Sequence, residues 1–238
     1  MEQNKKITIC ACVSRSFIKR DKAIEVAASL QREGFEVRVV PDLCKMIAQR
    51  SPDLHDIALS VIIACYPRPV KSLFRSVGLQ TNQILDIRNG EFQDIFNWLQ
   101  LSYKPTRETE NEFRKALEDF PVEDGTDVWF PSIDKDRCCE CGKCHDFCLF
   151  GVYAKENAEV KVIHPQNCKN NCPACARVCP NMAIIFPKYE KSPINGGLDD
   201  EEQISSLDTK ALYNEALRMR LEQRRAKVSL LKKEGNDI

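Results

Sequence analysis

The chain carries no net charge: Lys plus Arg and Asp plus Glu each number 35 among its 238 residues. That balance removes bulk electrostatic attraction toward nucleic acid or an anionic membrane as an organising force. Nor is there an uninterrupted run of about 18 apolar residues, so no transmembrane helix is expected. Met1 to Lys6 is polar and leads straight into a strand-like segment, without the apolar core and small-residue cleavage site of a secretory signal. A cytoplasmic chain is expected. Histidine is scarce, at three residues, and both His145 and His164 read as loop surface.

Cysteine, in contrast, is abundant, with thirteen residues. Disulfides would account for many cysteines in an exported chain, but nothing argues for export, and an odd number cannot all pair within one chain. Ligation of a soft metal centre explains them better. Four cysteines lie before residue 70 and nine crowd between Cys138 and Cys179.

The N-terminal texture is that of a parallel α/β unit. Lys6 to Cys12 is a β-rich run, and Phe17 to Arg32 has apolar residues at helical spacing, with Gly34 where a helix C′ residue is expected. Phe35 to Val40 reads as a second strand, Leu59 to Ala64 as a central strand covered on both faces, and Gln83 to Ile87 as a fourth. Phe92 to Leu101 reads as a closing helix. Such alternation favours a doubly wound sheet with right-handed crossovers. Ser102 to Pro131 is a charged connector, within which Thr109 to Phe120 reads as a helix able to dock. Beyond Pro187, Lys191 to Asp200 is loop-like, and Asp208 to Lys233 reads as one long helix with acidic residues early and basic residues late. That helix is expected to be exposed or to dock a partner.

Cys138, Cys141, Cys144 and Cys148 are spaced C-x2-C-x2-C-x3-C, while Cys168, Cys172, Cys175 and Cys179 are spaced C-x3-C-x2-C-x3-C, followed by Pro180. Three thiolates two residues apart on a tight loop can reach three corners of one four-iron four-sulfur cubane. The fourth, on the next turn, points toward a second cubane. A closed zinc site takes only four ligands and fits these overlapping triplets less well. The C-x3-C-x2-C triplet also matches radical S-adenosylmethionine enzymes. That chemistry needs an iron without a cysteine ligand and a large barrel, and no barrel-sized sequence follows.

Over about residues 132 to 190 the pattern resembles bacterial two-cluster ferredoxins. The resemblance implies that Cys138, Cys141, Cys144 and Cys179 bind one 4Fe-4S cluster and that Cys168, Cys172, Cys175 and Cys148 bind the other. The stretch Phe150 to Tyr153 after the first motif mirrors Met182 to Phe186 after the second. Two departures stand out: Leu149 replaces the usual proline, and three residues rather than two separate Cys168 from Cys172. Cys139 is left over as a spare thiol.

Cys10 and Cys12 end the first expected strand, Cys44 follows the second and Cys65 ends the third, so a parallel sheet would bring all four to its carboxyl edge. Buried cysteines acting as small hydrophobes would also account for them. The segments Cys10-Ala11-Cys12, Asp42-Leu43-Cys44 and Ala64-Cys65-Tyr66-Pro67-Arg68 resemble the N-terminal domain of the A subunit of heterodisulfide reductases, over about residues 5 to 100. That resemblance implies a third 4Fe-4S cluster on Cys10, Cys12, Cys44 and Cys65, in a protein of anaerobic metabolism. Val13 departs from it, since glycine is usual there, and no G-x-G-x-x-G flavin loop follows. No flavin is expected.

The expected fold is therefore α/β plus α+β. A parallel doubly wound sheet spans 1–101, a connector with a helix spans 102–131, a two-cluster ferredoxin-like domain spans 132–190, and a loop and long helix span 191–238. The expected function is electron transfer through two 4Fe-4S clusters and a third, to or from a partner oxidoreductase, with no catalytic residue of its own and no nucleic-acid or membrane partner. Two rivals remain open at this stage: an enzyme reducing a disulfide or other small substrate at the N-terminal cysteines, and a redox or oxygen sensor.

Overall fold

The structure, a computed structural model, describes residues 6–12, 18–88, 92–101, 110–118 and 128–197. The chain divides into two compact units, Met1–Gly197 and Leu198–Ile238. The expected helix Asp208 to Lys233 and residues 198–200 of the expected loop lie outside the described residues.

The N-terminal part is built on four parallel strands: β1 (Lys6–Cys10), β2 (Glu36–Val40), β3 (Val61–Ala64) and β4 (Gln83–Asp86), in the order β2-β1-β3-β4. All four residues of β3 are buried, as its unbroken apolar run requires. The chain leaves β1 for β2 on one side and returns to β3 on the other, so the strand order reverses between β1 and β3. Helix α1 (Arg20–Arg32) buries Ile24, Ala27, Ala28 and Leu30. It stops in a Schellman turn, with Gly34 at φ 87°, its N–H donating to Gln31 O at 3.0 Å and that of Phe35 to Leu30 O at 3.2 Å. Glycine accepts this left-handed conformation without a Cβ penalty.

Three further helices extend the expected pattern: α2 (Leu43–Ala48), α3 (Leu54–Leu59) and α4 (Pro67–Ser76). Their signals are local and small. Asp42 caps α2, its carboxylate accepting from the amides of Cys44 and Lys45 at 2.9 and 3.2 Å, and Pro67 opens α4 where its missing N–H costs nothing. Helices α5 (Phe92–Trp98) and α6 (Glu110–Glu118) follow. The second packs on α1 with Phe113 and Leu117 in the core around the sheet, so the connector helix is docked.

In the cysteine-rich part, β5 (Ser132–Ile133) pairs antiparallel with β8 (Ile184–Ile185). The hairpin of β6 (Tyr153–Glu156) and β7 (Glu159–Val162) turns through Asn157 and Ala158, both at positive φ. Two five-residue helices, α7 (Lys143–Phe147) and α8 (Ala174–Val178), lie within the two cysteine motifs. This part has its own apolar cluster, including Trp129, Val152, Val160, Ile184 and Phe186.

The two parts are bolted together along α4. Arg68 Nε reaches Asp134 Oδ2 at 2.6 Å, with only 12% and 10% of these side chains exposed, and Arg68 Nη2 donates to Met182 O. Ser72 and Ser132 hydroxyls share a buried hydrogen bond at 2.5 Å, and Lys71 and Arg75 both reach Asp136.

Candidate metal centres

All thirteen cysteines lie among the described residues, and none is in a disulfide. In both C-terminal motifs the short helix ends at the fourth cysteine. Cys148 and Cys179 are the C-caps of α7 and α8, each in extended backbone conformation.

The thiols sort into two groups. Cys144 is coupled electrostatically to Cys179 and Cys138, and burial pushes its thiol up to about 12. Cys141 is exposed on the same loop. Cys168 is coupled to Cys175, Cys172 and Cys148, again pushed up to about 12 chiefly by burial. Cys148, Cys168, Cys172 and Cys175 line one cavity of about 210 Å³, whose other walls are Pro131, Phe147, Leu149, Phe150, Val152, Tyr153 and Ala174. Leu149, in the position expected to hold proline, is 92% exposed at this rim. The spare Cys139 is exposed.

Donors point at these sulfurs. Tyr153 Oη donates to Cys175 Sγ at 3.0 Å, and Ala183 N–H to Cys179 Sγ at 3.3 Å. The Trp129 indole, stacked on Phe186 at 5.1 Å, has a buried Nε1 without a full hydrogen-bond partner, close enough to Cys168 to favour its thiolate.

The N-terminal thiols also converge. Cys10, Cys12, Cys44 and Cys65 are all buried, at 4%, 5%, 8% and 8% exposure, around the carboxyl edge of β1 and β3 where the strand order reverses. Cys12 sits at φ 49°, a left-handed conformation that turns it off the strand direction. Cys44 occupies the first turn of α2, and Cys65 lies between β3 and α4. Cys65 is pushed up to about 12 by burial and by the neighbouring Cys12. Cys10 is raised well above the ordinary thiol value by burial, Cys12, Asp42 and Cys65.

Two cations absent from the sequence-based expectation reach this site. Lys188 arrives from the cysteine-rich part, 3% exposed, with Nζ 2.5 Å from Asp42 Oδ2 and 3.8 Å from Cys12 Sγ. Burial opposes its charge, but Cys44, Cys12 and Asp42 outweigh burial and hold it protonated. Arg88 lies 3.0 Å over the Tyr66 ring, ion-paired to Asp86 at 2.8 Å, and favours the Cys65 thiolate. Its Nε is buried without a hydrogen-bond partner. Asp42 could have been suspected as the cap before Cys44. Nothing around Lys188 in the sequence marks it.

Among the described residues, no three or more His, Cys, Asp or Glu side chains form a ready single-ion site. A zinc ion draws its ligands to about 2.0 to 2.3 Å around one centre. A cubane instead spreads four thiolates around a four-iron core. Thiols brought together from separate segments, with cationic, O–H and N–H donors beside them, suit such a group. It deprotonates its cysteines outright and accepts hydrogen bonds on sulfur.

No family model matches the chain. Among curated proteins it is 52% identical over 66 residues to an uncharacterized ferredoxin of Methanocaldococcus jannaschii, a match covering 27% of this chain and 44% of that protein. The chain thus spans less than half the length of that relative. A second uncharacterized ferredoxin of the same organism is 36% identical over 57 residues, covering 73% of its length. Ferredoxin-3 of Nostoc sp. is 36% identical over 88 residues, covering 28% of this chain and 90% of the relative. A relative matched at that identity along nearly its whole length shows the family: the chain belongs to the ferredoxins.

Proposed function

We propose that the protein is an iron–sulfur electron carrier whose cysteine-rich part holds two 4Fe-4S clusters. Cys138, Cys141, Cys144 and Cys179 ligate the first, and Cys168, Cys172, Cys175 and Cys148 the second. A third cluster sits on Cys10, Cys12, Cys44 and Cys65. Each cluster supplies a one-electron carrier whose potential the surrounding donors and dielectric tune. The observation that carries the reading is the single cavity lined by Cys148, Cys168, Cys172 and Cys175, the four thiols that the ferredoxin pattern assigns to one cluster across two separate motifs.

The cysteine-rich domain, about 132 to 190, exchanges electrons with a partner oxidoreductase in the cytoplasm, and the N-terminal domain, 1–101, is a further relay. Among the described residues no helix is long and apolar enough to cross a membrane. The reductase alternative is disfavoured by burial, because all four thiols are buried, and Cys10, Cys44 and Cys65, whose pKa burial raises, are poor nucleophiles toward a disulfide. The sensor alternative relies on the 208–233 helix, which lies outside the described residues.

The test is iron and sulfide content of the anaerobically purified full chain, with electron paramagnetic resonance after reduction. About twelve irons and twelve sulfides per chain are expected from three four-iron centres. Cys138→Ser should remove one C-terminal signal and Cys139→Ser none. A colourless, folded chain without iron would overturn the reading, and a requirement for Cys139 in place of Cys138 would overturn the ligand register.

A further inference from the structure

We infer that the N-terminal cysteine site is composite: Lys188 of the cysteine-rich part completes it, donating to Cys12 and making the group held there easier to reduce. This rests on the reading of Cys10, Cys12, Cys44 and Cys65 as cluster ligands.

Lysine is almost never fully buried unless paired, and Lys188 is buried. Pairing with Asp42 explains how it is tolerated but not what it does. A buried ion pair adds little over a well-packed apolar pair of the same volume. The geometry gives the cation a second task. Asp42 Oδ1 already accepts the amides of Cys44 and Lys45, and its Oδ2 takes Lys188 at 2.5 Å. An ammonium has three protons to donate, and Nζ also donates toward Cys12 Sγ at 3.8 Å. The carboxylate is thus turned to the α2 amides and to Lys188, while the ammonium faces sulfur.

The lysine is held from the far side. It lies two residues after Phe186, which stacks on Trp129 and whose N–H donates to Ile194 O at 2.8 Å, while Tyr189 N–H donates back to Phe186 O at 2.8 Å. A residue 176 positions along the chain from Cys12 is therefore a fixed wall of the N-terminal site. Reduction adds one electron to an already anionic cluster, and a cation fixed beside a ligand sulfur in a dry site favours that extra charge. The electron comes from a reductant, dithionite in the test below. In the assembled protein, Lys188 biases electrons entering at the C-terminal clusters toward the N-terminal site. It also makes that site dependent on the docking of the two parts.

The experiment uses the full chain, purified anaerobically, as wild type, Lys188→Met, Lys188→Arg and the double variant Asp42→Asn with Lys188→Met. The double variant removes both members of the Lys188–Asp42 pair, so neither is left buried without the other, which guards against simple misfolding. Redox titration followed by electron paramagnetic resonance is the readout, with iron counted for each. In the double variant the N-terminal signal should need a potential at least about 59 mV more negative, a tenfold loss in the one-electron reduction equilibrium. The two C-terminal signals should stay where they are, and Lys188→Arg should restore most of the shift. Loss of the third cluster in Lys188→Met, reversed by Lys188→Arg, also supports the assignment. Twelve irons with an unshifted N-terminal signal in the double variant would overturn the role of Lys188 alone. Eight irons in the wild type would overturn the third-cluster reading, and this inference with it.

Discussion

On the proposed ligand assignment, Tyr153 tunes a cluster without ligating it. Its hydroxyl donates to Cys175 Sγ at 3.0 Å, and burial, then Cys175 itself, raise its pKa so far that it stays a donor at any working pH. Hydrogen bonds to sulfur favour the more negative, reduced state. Tyr153→Phe is therefore expected to keep the full iron content and shift one C-terminal signal to more negative potential, read in the same redox titration. A signal that stays put would mean that the hydroxyl serves packing alone. Tyr153 followed from no motif, because its partner lies 22 residues away on another element.

At the scale of elements, a glycine stands where the 191–197 segment passes close against α4. Gly196 stands at φ 90°, and a Cβ there would come within 2.6 Å of Pro69 Cδ, on the first turn of α4. Both the backbone conformation and the space exclude a side chain. Gly196→Ala is expected to cost about 2 kcal/mol, the overpacking range, visible as a lowered denaturation midpoint. An unchanged midpoint would mean that this segment yields without loss. The helices α7 and α8 were not expected from periodicity, since five residues hold too little of it. Their placement follows from the cysteine spacing, which alone was enough to register the two motifs.

Across the whole molecule, Arg68 couples the two apolar cores. Its guanidinium is nearly buried between Asp134 and Met182 O, and it lies three residues after Cys65. The amide of Cys138 in turn donates to Asp134 O at 2.9 Å, so the arginine ties the N-terminal site to the loop of the first C-terminal motif. Arg68→Met leaves Asp134 without its main cation in a site only 10% exposed, and a cost of about 3 kcal/mol is expected. Urea unfolding should then separate into two transitions, one per core, where the wild type shows one. A single transition at the wild-type midpoint would show that the parts are held by other contacts.

The sequence by itself determined the two C-terminal cysteine motifs, the parallel strands and the convergence of Cys10, Cys12, Cys44 and Cys65 on one sheet edge. These are local properties: a thiol triplet has to match a cubane within one loop, and a strand declares itself over four or five residues. Periodicity left α2 and α3 unread because each spans only six residues, and α4 because its opening prolines read as a break rather than as a helix start. Only the tertiary structure decided that Lys188, Asp42 and Arg88 face the N-terminal thiols, and that Trp129 and Tyr153 face the C-terminal ones. The Lys188–Asp42 pair spans 146 positions and depends on two separate cores packing in one register along α4. No local pattern encodes such a meeting, because its stabilisation exists only once both parts have folded and excluded water from between them.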